Sequence, residues 1–226
     1  MKQSHTPIRV TQINKLYHPW IGGVESHVKQ LSECLQASSQ VMVSVLCCNT
    51  KNQTTQESIN HVPVIKAGSW GKFLSLPLSW TFIRLFKRLK PDIIHLHLPN
   101  PLAVITALLF PRSSKIVVTW HADITRQWLL LVFYRFFLKR FLRRADAIIT
   151  TSPNLANSSP FISPHHNKTH IIPLSLTLSQ YRVTPDIQAQ TQHLLNTYGK
   201  FMLFVGRLIY YKGIMVLLDA IRHTPF

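Results

Sequence analysis

The sequence predicts an α/β fold in which a parallel β-sheet is covered by helices on both faces. Two observations carry this. Short runs rich in Val and Ile alternate along the chain with amphipathic stretches of helical length, and strands separated by helices return to a sheet in parallel. Several runs are also apolar at almost every position, as strands buried on both faces are, without the alternation of a strand with one wet face.

Each element has its own signal. Residues 8–13 form the first strand. Residues 24–37 follow as a helix, with Val24, Val28, Leu31 and Leu35 recurring at the helical period. The apolar run 41–47 is a second strand. Asn, Thr and Gln dominate 49–60, which reads as a loop, and 62–67 is strand-like. The stretch 72–90 reads as a basic helix interrupted at Pro77. Strands at 92–97 and 115–120 bracket a helix at 101–110. A long helix at 126–144 leads to a strand at 147–152, and the strand 170–172 stops at Pro173. Ser, Thr and Pro between 174 and 186 mark a linker. Beyond it come a polar helix at 187–198, a strand at 201–205, a loop from Gly206 to Gly213 and the opening of a helix at 214–223. The predicted division is one lobe over residues 1–178, then a linker and an incomplete second lobe over 179–226.

Composition limits the function. Apolar residues are 46% and charged residues 15% of the chain, which excludes a disordered polar protein. No apolar run approaches the ~18 residues that cross a bilayer. The first residues lead into a strand and not a secretory h-region, so a cytoplasmic chain is expected. Twenty-five Lys and Arg against eight Asp and Glu give a formal charge of +17. The partner should therefore be anionic: a phosphorylated ligand, an acidic membrane leaflet or nucleic acid. Lys and Arg outnumber Asp and Glu 13 to 3 between residues 70 and 147. Cys34, Cys47 and Cys48 have neither CxxC nor metal-ligand spacing. The adjacent pair ends an apolar strand, where small buried thiols fit.

The motifs narrow this further. Gly22-Gly23 closes the loop between the first strand and the first helix. Glycines there let the backbone approach a ligand, and the free N–H groups of the first helical turn favour an anion; a plain turn needs no more than the same pair. Tyr17, Pro19, Gly22, Gly23, Val24 and Glu25 make Y-x-P-x-x-G-G-V-E. They are followed in order by P-D-I-I-H-L-H at 91–97, V-V-T-W-H-A-D at 117–123, A-D-A-I-I-T-T-S at 145–152, I-I-P-L at 171–174 and F-V-G-R-L-x-x-x-K-G at 204–213. In this order and spacing the chain resembles the family-4 (group 1) glycosyltransferases of the GT-B fold.

The resemblance implies two facing Rossmann-like lobes, the first mostly for acceptor and the second mostly for a nucleotide-sugar donor. It implies transfer with retention of anomeric configuration, with no metal and no cofactor beyond the donor substrate. It assigns Gly22, Gly23, Arg207 and Lys212 to the donor diphosphate, where fixed cations and N–H donors stabilise the leaving charge. It makes His121, which should project from the carboxyl edge of strand 115–120, the catalytic candidate beside the donor sugar. Glu25 and Asp123 are acceptor-side or accessory candidates; Glu25 in a first helical turn also suits the helix dipole. His95 and His97 form H-x-H on one strand face, but no downstream spacing completes a metal set, and no metal site is expected.

Two basic stretches carry surplus aromatics. Residues 126–144 combine Arg135, Lys139, Arg140, Arg143 and Arg144 with Trp128, Phe133, Phe136, Phe137 and Phe141. Residues 72–90 combine Arg84, Lys87, Arg88 and Lys90 with Trp80, Phe82 and Phe86. Such helices suit the interface of an anionic membrane, where a cytoplasmic transferase would meet a lipid-linked acceptor. Ser175 and Thr177 stand where many family members have Gly and Asp, and the family's E-x(7)-E glutamates have no counterpart. The expectation is a glycosyltransferase in cell-surface polysaccharide or glycolipid synthesis, shortened in its donor lobe. The alternatives are a non-catalytic binding remnant or partner subunit, another GT-B enzyme such as a sugar epimerase, and a basic nucleic-acid binder. The last lacks a recognised module and is not expected.

Overall fold

The structure, a computed structural model, describes residues 6–73, 76–111, 113–124, 128–175, 181–206 and 208–223. The chain divides into two compact units, Met1–Ser175 and Leu176–Phe226.

The first unit is the expected α/β lobe. Its eight-stranded sheet contains β1 (Ile8–Ile13), β2 (Val41–Cys48), β3 (Thr55–Ile59), β4 (Val62–Ala67), β7 (Ile93–Leu98), β8 (Lys115–Trp120), β9 (Ala147–Thr150) and β10 (Thr169–Ile171), in the order β10-β9-β8-β7-β1-β2-β4-β3. Every pairing is parallel except β3 with β4. Helices α1 (Gly23–Gln36), α2 (Trp80–Arg88), α3 (Pro101–Leu109) and α4 (Trp128–Arg144) divide between the faces. On one face Phe82 and Phe86 of α2, Val104 of α3 and Phe141 and Leu142 of α4 pack over Ile13, Leu46, Leu96 and Val118. On the other, Val28 of α1 packs on Val43, Val45, Val62 and Val64. Cys47 and Cys48 are buried, as expected, and burial pushes both thiols up, Cys48 to about 12.

Local chemistry sets the helix ends. Asn100 caps α3, its Oδ1 accepting from Ala103 N–H at 3.3 Å with Pro101 next in line. The Lys168 ammonium closes α4 by donating to the carbonyls of Leu142, Arg143 and Ala145 at 2.8, 2.9 and 2.7 Å.

Four expectations need correction. Residues 55–59 form the edge strand β3 where a loop was expected. Its turn, Asn60-His61, has positive φ at both positions (50° and 66°), as a two-residue hairpin requires. The strand's three central residues are polar and exposed, so it carries no apolar alternation. The stretch 72–90 is not one helix: β5 (Lys72–Phe73) pairs antiparallel with β6 (Leu76–Pro77), and α2 begins only at Trp80, where Ser79 Oγ accepts from Phe82 N–H at 3.0 Å. Between β9 and β10 lie α5 (Pro153–Ser158), capped by Ser152 Oγ, and a 3₁₀ turn over Ser163–Lys168, both unforeseen.

The second unit holds α6 (Pro185–Tyr198), capped by Thr184, a 3₁₀ turn at Tyr210–Lys212 and α7 (Ile214–Arg222). The predicted strand at 201–205 is absent. A parallel strand exists through its neighbours' backbone groups, and the described residues of this unit supply none. None of its described residues is buried.

The burial pattern of α4 yields a contrast within one helix. Phe141 is fully buried and Phe136 is 64% exposed. Phe141→Ala should destabilise the lobe by about 3–5 kcal/mol through the cavity it leaves, and Phe136→Ala by no more than about 0.5 kcal/mol. Urea denaturation of the two variants checks this.

Candidate functional site

The strand order reverses at β1, which the chain leaves toward β2 and β4 on one side before returning to β7 on the other. In an open parallel sheet the loops diverge at such a point and leave a crevice at the carboxyl ends of the strands. Side chains alternate along each strand. On the face that α1 covers, β1 presents Ile8, Val10 and Gln12, β7 presents Ile93, His95 and His97, and β8 presents Val117 and Thr119. Toward the amino ends this face is apolar, and Val10, Ile93, Val117 and Ile149 line a groove of about 340 Å³ beside Leu31 of α1. Toward the carboxyl ends it is polar, and there the site is built.

His97 is 1% exposed. Its Nε2 lies 2.8 Å from Gln12 Oε1. A carbonyl oxygen only accepts, so Nε2 carries the proton and Nδ1 holds the lone pair. That lone pair meets His121 Nε2 at 3.1 Å, and His121 is therefore the donor. The result is a directed chain, His121 to His97 to Gln12. His95 pairs separately with Thr119, Nε2 to Oγ1 at 2.7 Å. His27, in the second position after the glycine pair's Glu25, reaches over from α1. Its ring centroid is 5.8 Å from that of His97 and 5.4 Å from that of His121.

Burial holds these imidazoles uncharged. It lowers His95 to about 3 and His121 to about 4, and His97 and His27 are lowered by the same cause. Proximity adds to it, since protonating one ring disfavours protonating the next. At neutral pH the cluster offers lone pairs and N–H donors without positive charge.

The predicted glycine loop borders this cluster. Gly22 precedes α1 in extended backbone (φ −163°, ψ 162°), so its conformation does not demand glycine. Nor does space: a Cβ there would meet Glu25 Oε2, the movable end of a flexible side chain, and nothing lies within 4 Å of the corresponding point at Gly23. Glu25 thus folds back over the loop from the first turn of α1, a position that suits the helix dipole. The first intrahelical bond runs from Ser26 N–H to Gly22 O at 2.9 Å, which leaves the earlier N–H groups available to an anion.

The remaining candidates fall elsewhere. Asp123 ties the scaffold together. Its Oδ1 accepts from Trp120 Nε1 at 3.0 Å and from Ser159 Oγ at 2.7 Å, joining the end of β8 to the turn after α5. Lys212 is exposed at the end of its 3₁₀ turn, ahead of Gly213 at φ 68°. Arg207 lies outside the described residues. Lys212 belongs to the second unit, and the other described candidates belong to the first.

Sequence reasoning missed Gln12 and His27. A signal existed for both. Gln12 interrupts an otherwise buried strand, and His27 falls on the helical stripe of Val24, Val28, Leu31 and Leu35.

The sheet, its switch-point crevice and the glycine loop define a Rossmann-like ligand-binding lobe. The Glycosyltransferase Family 4 model matches residues 21–178, and the chain belongs to that family. It is 34% identical over 221 residues to O-antigen chain mannosyltransferase C of Escherichia coli, covering 96% of this chain and 58% of the relative. It is 31% identical over 231 residues to D-rhamnosyltransferase WbpZ of Pseudomonas aeruginosa, covering 97% and 58%. Among solved structures it is similar to sucrose-phosphate synthase from Thermosynechococcus elongatus (TM-score 0.73, 21% identity, 96% of this chain and 60% of that one). It is also similar to HepE of Anabaena in complex with UDP-glucose (TM-score 0.69, 15% identity, 96% and 58%). At these identities the solved structures show the shared fold, the GT-B arrangement of the neighbours. The chain spans somewhat under two thirds of the length of all four.

Asp123 gives a clean substitution pair. Asp123→Ala should cost about 1–3 kcal/mol by leaving the buried Trp120 N–H without an acceptor. Asp123→Asn keeps an acceptor oxygen and should lose less. Thermal denaturation of the two variants compares them.

Proposed function

We propose that this chain belongs to an enzyme that transfers a sugar from a nucleotide-sugar to a glycan or lipid-linked acceptor in cell-surface polysaccharide synthesis, with retention of anomeric configuration. The observation that carries the reading is the 34% identity to an O-antigen chain mannosyltransferase over 96% of this chain. The two relatives are named for mannose and D-rhamnose transfer, so a nucleotide-activated hexose or deoxyhexose of that class is the donor.

The chemistry separates a nucleoside diphosphate from an anomeric carbon. Negative charge grows on the leaving phosphate and positive charge on the sugar ring. The first-turn N–H groups of α1 behind Gly22 and Gly23 answer the first charge; Arg207 and Lys212 are the second unit's own candidates for a diphosphate. His121, uncharged and held by His97, answers the second side of the reaction by hydrogen bonding a sugar hydroxyl without adding a competing cation. Gln12 and His97 fix its ring orientation.

The membrane part of the reading rests on α4. Val132, Phe133, Phe136 and Phe137 are exposed, and Phe133, Phe136, Phe137 and Arg140 recur at i, i+3, i+4 and i+7. Arg135, Lys139, Arg140 and Arg143 are exposed around them. The other basic stretch contributes differently from expectation, because Phe82 and Phe86 are buried in the core, while among the described side chains Trp70, Leu78 and Trp80 face outward near the β5–β6 hairpin. We place the chain on the cytoplasmic leaflet, where acidic lipid meets a lipid-linked acceptor.

A second reading, a non-catalytic binding partner, is favoured by one observation: no described residue of the second unit is buried.

Titration of UDP, GDP and ADP, followed by incubation with nucleotide-activated mannose and rhamnose and a lipid-linked acceptor, tests the assignment. Saturable nucleotide binding with transfer that keeps the donor's anomeric configuration, read from the product's anomeric NMR signals, is the expected result. Binding without transfer selects the non-catalytic partner, and the absence of both removes the transferase reading. His121→Ala should lower kcat/KM by about 10²-fold or more. In vesicle flotation the chain should rise with anionic and not with neutral lipid. Phe133→Glu with Phe136→Glu should weaken that binding about tenfold or more; equal flotation with both lipids would remove the membrane part.

A further inference from the structure

We propose that His27, His97 and His121 form a binding site for a divalent transition metal of the zinc class, with three imidazole ligands and an open fourth position. This departs from the absence of a metal that the sequence leads one to expect, and it rests on no part of the transferase reading.

Geometry comes first. One ring nitrogen from each of the three histidines lies within 4.8 Å of the other two. A tetrahedral ion with Zn–N distances near 2.1 Å holds its nitrogens about 3.4 Å apart. The pair His97 Nδ1 and His121 Nε2, at 3.1 Å, already stands near that edge length. His27, half-buried, brings the third nitrogen to within 4.8 Å of both.

Three separate elements supply the ligands: α1, the end of β7 and the residue after β8. Such a set is held in place by the tertiary fold and not by a single flexible loop. The H-x-H pair on β7 contributes one ligand only, because His95 is turned to Thr119. This is why spacing along the chain did not announce the site.

The surrounding groups point the same way. A metal-bound imidazole nearly always donates its second ring N–H to an oxygen acceptor, which fixes the tautomer and aims the lone pair. His97 has that arrangement: Nε2–H donates to buried Gln12 Oε1, and Nδ1 faces the centre of the triangle. Gln12 is fully buried, and its Nε2 has no partner among the described residues. A buried amide with a wasted donor is costly, and here its oxygen orients His97. His27 likewise has no hydrogen-bond partner among the described residues, although its ring is packed against two others.

Ligand chemistry selects the metal. An all-imidazole set suits Zn²⁺, Cu²⁺, Ni²⁺ or Co²⁺, whereas Mg²⁺ and Ca²⁺ require oxygen donors. Entry of the ion breaks the His121 N–H to His97 bond. The His121 proton moves from Nε2 to Nδ1, and both facing nitrogens then donate their lone pairs to the metal. No net proton is released. The fourth position is left for water or a ligand oxygen.

Cobalt(II) makes the site visible, since a four-coordinate ion has intense visible bands that an aquo ion lacks. The untagged chain, stripped with a chelator, is titrated with Co²⁺ and then with Zn²⁺. We expect the bands to saturate at one equivalent and to disappear as zinc displaces cobalt. His27→Gln and His121→Gln, each with an unchanged far-UV CD spectrum, should lose the bands, while His166→Gln in the exposed turn should keep them. Gln12→Leu should weaken binding about 10- to 100-fold. Weak spectra of an aquo type throughout the titration, or bands that persist at full strength in both His27→Gln and His121→Gln, would overturn the proposal.

Discussion

The reversal of strand order between β1 and β7 is the constraint on which the site depends. On either side of it the connections leave the sheet in opposite directions, so a crevice opens at the carboxyl ends of β1, β7 and β8. The imidazoles, Gln12 and Thr119 on the α1 face gather at that end. Val10, Ile93 and Val117 lie below it. The division follows from the pleat: one face of β7 carries Ile93, His95 and His97, and the opposite face carries Ile94, Leu96 and Leu98, which pack under α2, α3 and α4. A single-residue slip of β7 would drive both imidazoles into that apolar core, and so the histidines also specify the register.

Placing four imidazoles at a sheet edge has an energetic consequence that shapes the neighbouring residues. A buried ring must stay neutral, and each of its nitrogens seeks a partner. Thr119 answers His95, and Gln12 answers His97. His121 is answered by His97. The shell continues through Asp123, which draws Trp120 and Ser159 together and so fixes the end of the strand from which His121 projects. Positioning passes in this way from a fully buried tryptophan to the candidate catalytic ring, the next residue in the chain.

The sequence made the lobe legible wherever burial imposed a pattern. The apolar runs of the first lobe are strands because a parallel sheet covered on both faces leaves little room for polar residues. Legibility failed where solvent relieved that demand. β3 is an edge strand with exposed Gln56, Glu57 and Ser58, and nothing in T-Q-E-S-I distinguishes it from a loop. Its turn uses Asn60-His61, not the Asn-Gly that marks such hairpins most plainly. The β5–β6 hairpin is too short for any period to show. At the crevice, His121 and the glycine pair were named from the sequence because a motif surrounds them. Gln12 and His27 were not, because their meaning lies in contacts between residues distant in the chain: 85 positions separate Gln12 from His97.

The two roles drawn for His121 compete for one proton. As a sugar contact it accepts from a hydroxyl at Nδ1 while its Nε2 proton stays on His97. As a metal ligand Nε2 gives its lone pair, and its proton must sit on Nδ1. Both cannot hold at once, so an ion in the triangle turns Nδ1 from an acceptor into an N–H donor and adds an open coordination position of positive charge. A neutral imidazole and a cation address different parts of a nucleotide-sugar, the first a hydroxyl and the second a phosphate oxygen. Occupancy of the triangle therefore decides which end of an anionic ligand this edge of the sheet would hold. His27 is the residue through which the choice is made, because it contributes to the metal set and to none of the hydrogen bonds that orient His121.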